Sequence, residues 1–119
     1  MNSQLQVRKL DSLSDQNQGR DVFDKTWAME AGTEITPNLL QAMVHSGSYL
    51  SGAFIGDKCV GAAFAFPATT GGLHLHSHMT AVLDEYRDKG VGFALKIDQW
   101  HWKVYLLHRW FLLQTYVHS

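Results

Sequence analysis

Apolar positions divide the chain into segments of different period. Leu5, Val7 and Leu10 give a short alternating run that predicts a first strand from Gln4 to Leu10. Asp11 to Gly19 is polar and reads as a turn-rich connection. Arg20 to Met29 then carries Val22, Phe23 and Trp27 at helical spacing, and Gly32 closes that helix. A second helix starts where Thr36 offers an N-cap oxygen and Pro37 fills the first helical position, which needs no N–H. Leu39, Leu40, Met43 and Val44 form its apolar stripe, and Gly47 ends it. Tyr49 to Ile55 and Lys58 to Phe66 predict a hairpin around Gly56-Asp57, with glycine first as a type II′ turn prefers. Pro67 and Gly71-Gly72 mark the next turn, and Leu73 to Leu83 a long strand, completing an antiparallel meander. After the polar segment Asp84 to Lys89, a helix opens at Gly90 and Gly92, with Phe93, Ile97, Trp100, Val104 and Leu107 at helical spacing. Trp110 to Val117 is aromatic and β-favouring, compatible with a fifth strand.

These elements form one domain over residues 1–119, with no internal repeat, low-complexity tract or linker. Hydrophobic residues make up 45% and charged residues 18%, the balance of a globular chain rather than a disordered one. A net charge of -1 gives no overall attraction to nucleic acid or to a membrane, so neither is an expected partner. A small phosphorylated ligand is not excluded, because backbone N–H groups bind phosphate without net positive charge. The lone cysteine, Cys59, allows no intrachain disulfide, and a buried, inert thiol is its expected state. The first ten residues lack an apolar signal core. His108, Arg109 and Gln114 interrupt the apolar stretch from Val104 to Val117, so it reads as core or interface rather than a membrane span. A cytoplasmic location is the expectation.

The segment richest in chemistry runs from Met79 to Leu95, in the order strand, tight loop, helix. Such a loop turns several successive N–H groups toward one point, and the first helical turn adds its own unsatisfied N–H groups and a partial positive charge. The result is an anion cradle suited to a pyrophosphate. Side chains at Gly90 and Gly92 would hold phosphates away, and loops of this kind often need positive φ. A dinucleotide fingerprint would require glycine at the position of Leu95, and a P-loop would require Lys-Ser/Thr where Phe93-Ala94 stand. Taken without their neighbours, the two glycines are a plain turn before a helix.

Arg87-Asp88-Lys89-Gly90-Val91-Gly92 resembles the Gln/Arg-x-x-Gly-x-Gly/Ala signature of the GCN5-related N-acetyltransferase (GNAT) superfamily, and Ala81-Val82-Leu83-Asp84-Glu85-Tyr86 resembles its preceding strand and loop. Six residues alone are a weak match. Their position after a meander and before a helix, downstream of two helices, strengthens it, and the resemblance extends over residues 1–107. It implies an α/β (α+β type) domain with a mixed, mostly antiparallel sheet flanked by helices. It implies acetyl-CoA as cosubstrate and transfer to a primary amine of a small molecule or peptide by direct attack, without a covalent acyl-enzyme. Ala81, Val82 and Leu83 would pair with the pantetheine arm, and Arg87, Asp88, Lys89, Gly90, Val91, Gly92, Phe93 and Ala94 would hold the pyrophosphate. A backbone N–H near Val82 would stabilise the oxyanion.

Other residues carry competing readings. His74, His76 and His78 alternate along one strand and share a face, which suits either a polar strand face or a metal site; no Cys, Asp or Glu stands at ligand spacing beside them, so no metal is expected. His78 is nearest the expected reaction centre and is the candidate catalytic base. Glu34, Asp84 and Glu85 are read as solvated carboxylates, and Trp100, Trp102 and Trp110 as packing residues. The resemblance weakens after Leu107, where residues 108–119 form an atypical tail without acid or glycine. The family usually has further strands and a helix there, often with a tyrosine acid; Tyr116 does not take that role, and the domain is expected to be C-terminally shortened. The alternative is therefore an inactive acyl-CoA-binding or dimerisation module, and a homodimer is a possible assembly.

Overall fold

A computed structural model of the protein describes residues 4–27, 36–45, 47–68, 72 and 74–118, with the side chains of residues 27, 37, 39, 43, 68, 74–78 and 110–118 outside that description. The elements are β1 (Leu5–Lys9), α1 (Leu13–Trp27), α2 (Pro37–His45), β2 (Tyr49–Ile55), β3 (Lys58–Ala68), β4 (His74–Val82), a 3-10 turn over Asp84–Tyr86, and α3 (Val91–His118). The strands form one sheet in the order β1-β2-β3-β4, and every pair is antiparallel.

The local signals explain most boundaries. The Leu40 N–H donates to the Thr36 carbonyl at 3.1 Å, closing the first turn of α2 behind its threonine cap. At its other end Gly47, with φ of 90°, returns its N–H to Val44 at 3.1 Å. Gly56 has φ of 62° and Asp57 has no positive φ, as a type II′ turn requires.

Two expectations are corrected. The segment 11–19 is mostly helix, because α1 begins at Leu13. Ser12 Oγ accepts the Asp15 N–H at 3.0 Å, and the buried Gln16 side chain donates to the Leu10 carbonyl at 3.0 Å. Ser12-x-x-Asp15 was the legible start signal, obscured by the scarcity of apolar residues before Val22. Residues 110–117 form no fifth strand; α3 continues through them to His118. Nothing after Gly92 breaks it, since neither glycine nor proline follows, and leucines extend the helix more readily than the aromatics resist it.

Both faces of the sheet are covered. Val22, Phe23, Leu40, Phe54, Phe64, Met79 and Ala81 pack on the α1–α2 side, while Tyr49, Val60, Ala63, Val91 and Leu95 pack under α3. Burial on both faces explains why β2 and β3 read as near-continuous apolar runs. Gly61 fixes the seat of α3: a Cβ there would come within 2.7 Å of Val91 Cγ1 and 3.1 Å of Leu95 Cδ1. The helix start therefore lies directly against the sheet.

Candidate functional site

Among the described residues the sheet ends at β4, and its outer edge lies beside the start of α3. The Leu83 N–H donates to the Val60 carbonyl at 2.9 Å. Antiparallel alternation then turns the peptide groups of Ala81 and Leu83 toward β3, and those of Thr80 and Val82 toward the open edge. Beyond β4, the 3-10 turn is closed by the Tyr86 N–H to Leu83 and the Arg87 N–H to Asp84, at 2.9 and 3.3 Å. Asp88 and Gly90 take left-handed φ values of 66° and 78°. The first helical bond of α3 runs from the Ala94 N–H to the Gly90 carbonyl at 3.0 Å. The N–H groups of Gly90, Val91, Gly92 and Phe93 precede it and have no acceptor within the helix.

These elements enclose a cavity of about 520 Å³, lined by Thr26, Thr80, Ala81, Val82, Tyr86, Arg87, Asp88, Gly90, Val91, Gly92 and Phe93. Its wall brings together eight of the candidate cofactor residues: Ala81, Val82, Arg87, Asp88, Gly90, Val91, Gly92 and Phe93. Leu83, Lys89 and Ala94 lie outside the wall, and the N–H groups of Leu83 and Ala94 already have protein acceptors. Thr26, Thr80 and Tyr86 were not singled out from the sequence. Thr26 reaches the wall from the last turn of α1, a placement that no local pattern announces. The Thr26 and Thr80 hydroxyl oxygens are buried and have no hydrogen-bond partner among the described residues.

The two motif glycines differ in kind. Gly90 needs its left-handed φ, yet a Cβ there would meet nothing within 4 Å. Gly92 has ordinary φ, and its Cβ would meet only Val82 Cγ2, at 3.8 Å. The protein's own packing leaves room for a side chain at Gly92, so the open space belongs to the cavity.

Charge at the mouth is mixed. The Arg87 guanidinium lies 3.2 Å from Asp84, both largely exposed, and the Lys58 ammonium sits 5.2 Å from the centre of the Tyr86 ring. The fixed positive contribution is that of the α3 N-terminus.

The backbone of His78 lies in β4 at a bulge: Phe64 opposes Met79 and Ala65 opposes Ser77, leaving His78 as the extra residue. The side chains of His74, His76 and His78 lie outside the described residues, as does Glu34 entirely. Asp84 and Glu85 are exposed. Cys59 is buried, as expected, and burial pushes its thiol up to about 11. Among the described residues no cluster of three His, Cys, Asp or Glu side chains is placed to hold a metal.

The architecture is that of the GNAT acetyltransferases. An aminoglycoside acetyltransferase from an uncultured soil metagenomic sample, solved with sisomicin, superposes with a TM-score of 0.71 at 15% identity, over 85% of this chain and 69% of that one. A GNAT family acetyltransferase from Brucella melitensis, solved with acetyl-CoA, gives 0.65 at 14% identity, over 83% and 68%. A GNAT family acetyltransferase from Staphylococcus aureus gives 0.59 at 16% identity, over 89% and 81%. At these identities the likeness is one of fold. No protein-family model matches the sequence, and no curated protein sequence matches it.

Proposed function

We propose that the protein is an acetyl-CoA-dependent N-acetyltransferase that acetylates a primary amine of a small molecule or peptide by direct attack. The observation that carries this reading is the cavity between two sets of uncommitted backbone groups, the outward edge of β4 and the N-terminus of α3, with open space at Gly92. A pyrophosphate requires converging N–H donors and a positive field, and the residues present fit that requirement. A neighbour in fold was solved with acetyl-CoA, and another is an aminoglycoside acetyltransferase solved with sisomicin.

In this reading the N–H groups of Gly90, Val91, Gly92 and Phe93 hold the pyrophosphate, and the outward peptide groups of Thr80 and Val82 hold the pantetheine arm. Acetyl-CoA would supply an activated acetyl thioester, whose C–S bond breaks as the amide bond forms, with CoA leaving as a thiolate that takes its proton from solvent. The Val82 N–H serves the carbonyl oxygen as negative charge develops there. His78, four residues before Val82 on β4, is assigned the proton of the incoming ammonium, since imidazole titrates near neutrality.

Calorimetry with acetyl-CoA on the native chain and on Gly92→Glu tests the site. Binding by the native chain and its loss in a folded variant support the reading; a folded native chain that does not bind acetyl-CoA refutes it. His78→Ala is expected to lower kcat/KM for a responsive amine by at least about tenfold, with acetyl-CoA affinity unchanged. An unchanged rate removes His78 from the mechanism.

A further inference from the structure

Helix α3 is apolar on two opposite faces. Val91 and Leu95 are buried against the sheet, and Trp102 meets Tyr49 edge-on with ring centres 5.7 Å apart. On the opposite side Phe93, Ile97, Trp100 and Val104 follow one another at spacings of four, three and four residues. All four are exposed, at 73%, 42%, 58% and 45%. At helical periodicity they form one continuous stripe pointing away from the core. A contiguous exposed stripe of this kind marks an interaction surface.

Charge around the stripe is one-sided. Lys96 and Lys103 border it on one flank, and His101 and His108 border it on the other. Over its length α3 carries Lys96, Lys103 and Arg109 against a single carboxylate, Asp98. That carboxylate is turned inward, accepting the Tyr49 hydroxyl at 2.6 Å. No acidic residue follows it in the chain, whose remainder is net acidic. The overall charge of -1 thus conceals a face that is both apolar and cationic.

We propose that this outer face of α3 docks on the surface of an anionic lipid bilayer, with the helix lying in the plane of the interface. Trp100 and its aliphatic neighbours would enter the headgroup–acyl boundary while the lysines meet lipid phosphates. Charge complementarity selects this partner over a second copy of the chain. The four-three spacing also suits a helix pair, but two such helices would set lysine flank against lysine flank, since the one carboxylate of α3 is turned inward to Tyr49. No helix among the described residues is long and apolar enough to cross a membrane, so the contact is one of surface. Phe93 belongs both to the stripe and to the cavity wall, which puts the mouth of the candidate site beside the docked face.

The test is sedimentation of the purified full chain with vesicles of equimolar phosphatidylcholine and phosphatidylglycerol, and with vesicles of phosphatidylcholine alone. The chain is expected to sediment with the anionic vesicles and to be released by salt. Lys96→Gln with Lys103→Gln should weaken partitioning by about twenty-five-fold, at about fivefold per charge. Ile97→Gln with Trp100→Gln, both at exposed positions, should abolish it while circular dichroism and thermal stability stay native. Failure of the native chain to bind anionic vesicles, or unchanged binding by the Ile97/Trp100 variant, overturns the proposal. A dimer in sedimentation equilibrium that this variant dissociates assigns the stripe to a second copy and also overturns it.

Discussion

Substitution at the two glycines of the Arg87–Gly92 motif separates backbone conformation from ligand space. At Gly90 the φ of 78° is the constraint, and there is no steric one. Gly90→Ala must hold an L-residue in the left-handed region, at a cost of about 1–2 kcal/mol. At Gly92 the constraints are reversed. The residue lies in the first turn of α3 with ordinary φ, and the new methyl meets only Val82 Cγ2 at 3.8 Å. Alanine is the better helix former by about 0.5–1 kcal/mol, so Gly92→Ala should leave folding stability equal or slightly raised. The methyl enters the cavity beside the N–H groups that would hold a pyrophosphate, and affinity for acetyl-CoA should fall about tenfold, equivalent to about 1.4 kcal/mol. Gly92→Glu adds a carboxylate to the same space and should remove measurable binding. Urea denaturation gives the stabilities and calorimetry the affinities. The expected signature is opposite signs at Gly92: stability held or gained, binding lost. A folded Gly92→Glu protein that binds acetyl-CoA as well as the native chain refutes the assignment of that space to a phosphate group. A destabilised Gly92→Ala protein refutes the packing argument.

Two further outcomes follow from buried groups. Burial raises the Cys59 thiol from 9.0 to about 11, so the folded state holds the proton more tightly than the unfolded chain. The corresponding stability is fully present below pH 9 and is lost as pH rises toward 11, amounting to roughly 2–3 kcal/mol. Denaturation midpoints of the native chain and of Cys59→Val should therefore diverge over that window, and parallel profiles would contradict it. The Tyr49 hydroxyl, on a side chain only 2% exposed, donates to Asp98 at 2.6 Å and ties β2 to α3. Tyr49→Phe should cost about 1–2 kcal/mol in urea unfolding, and the double variant with Asp98→Ala less than the sum of the singles. Additive losses would show that the pair does not couple.

Elements whose signals are local were legible in advance. The β2–β3 hairpin followed from Gly56-Asp57 between apolar runs, and α2 from Thr36-Pro37 and Gly47, because turn and cap chemistry is written in adjacent residues. The loop of the candidate site was legible for the same reason: Arg87 to Gly92 determines its backbone within a few residues. The α1 start was missed because Ser12 and Asp15 give a cap without an apolar stripe to follow it. The continuation of α3 was missed because aromatic residues suit a strand by propensity, whereas a helix without a breaker extends by adding one hydrogen bond per residue.

By itself the sequence determined the strand–loop–helix connection at residues 79–95 and the order of elements before it, since periodicity, caps and turns act over neighbours in the chain. Only the tertiary structure decided which groups the cavity receives. Thr26 is brought to its wall from more than fifty residues away in sequence, and Gly61 permits the close seat of α3 that forms its floor. The tertiary structure also decided which face of α3 is covered. Both faces are apolar, so the sequence could not say which one packs; the sheet took Leu95 and Trp102 and left Ile97, Trp100 and Val104 outside. Packing between distant segments, which no local pattern encodes, made that choice.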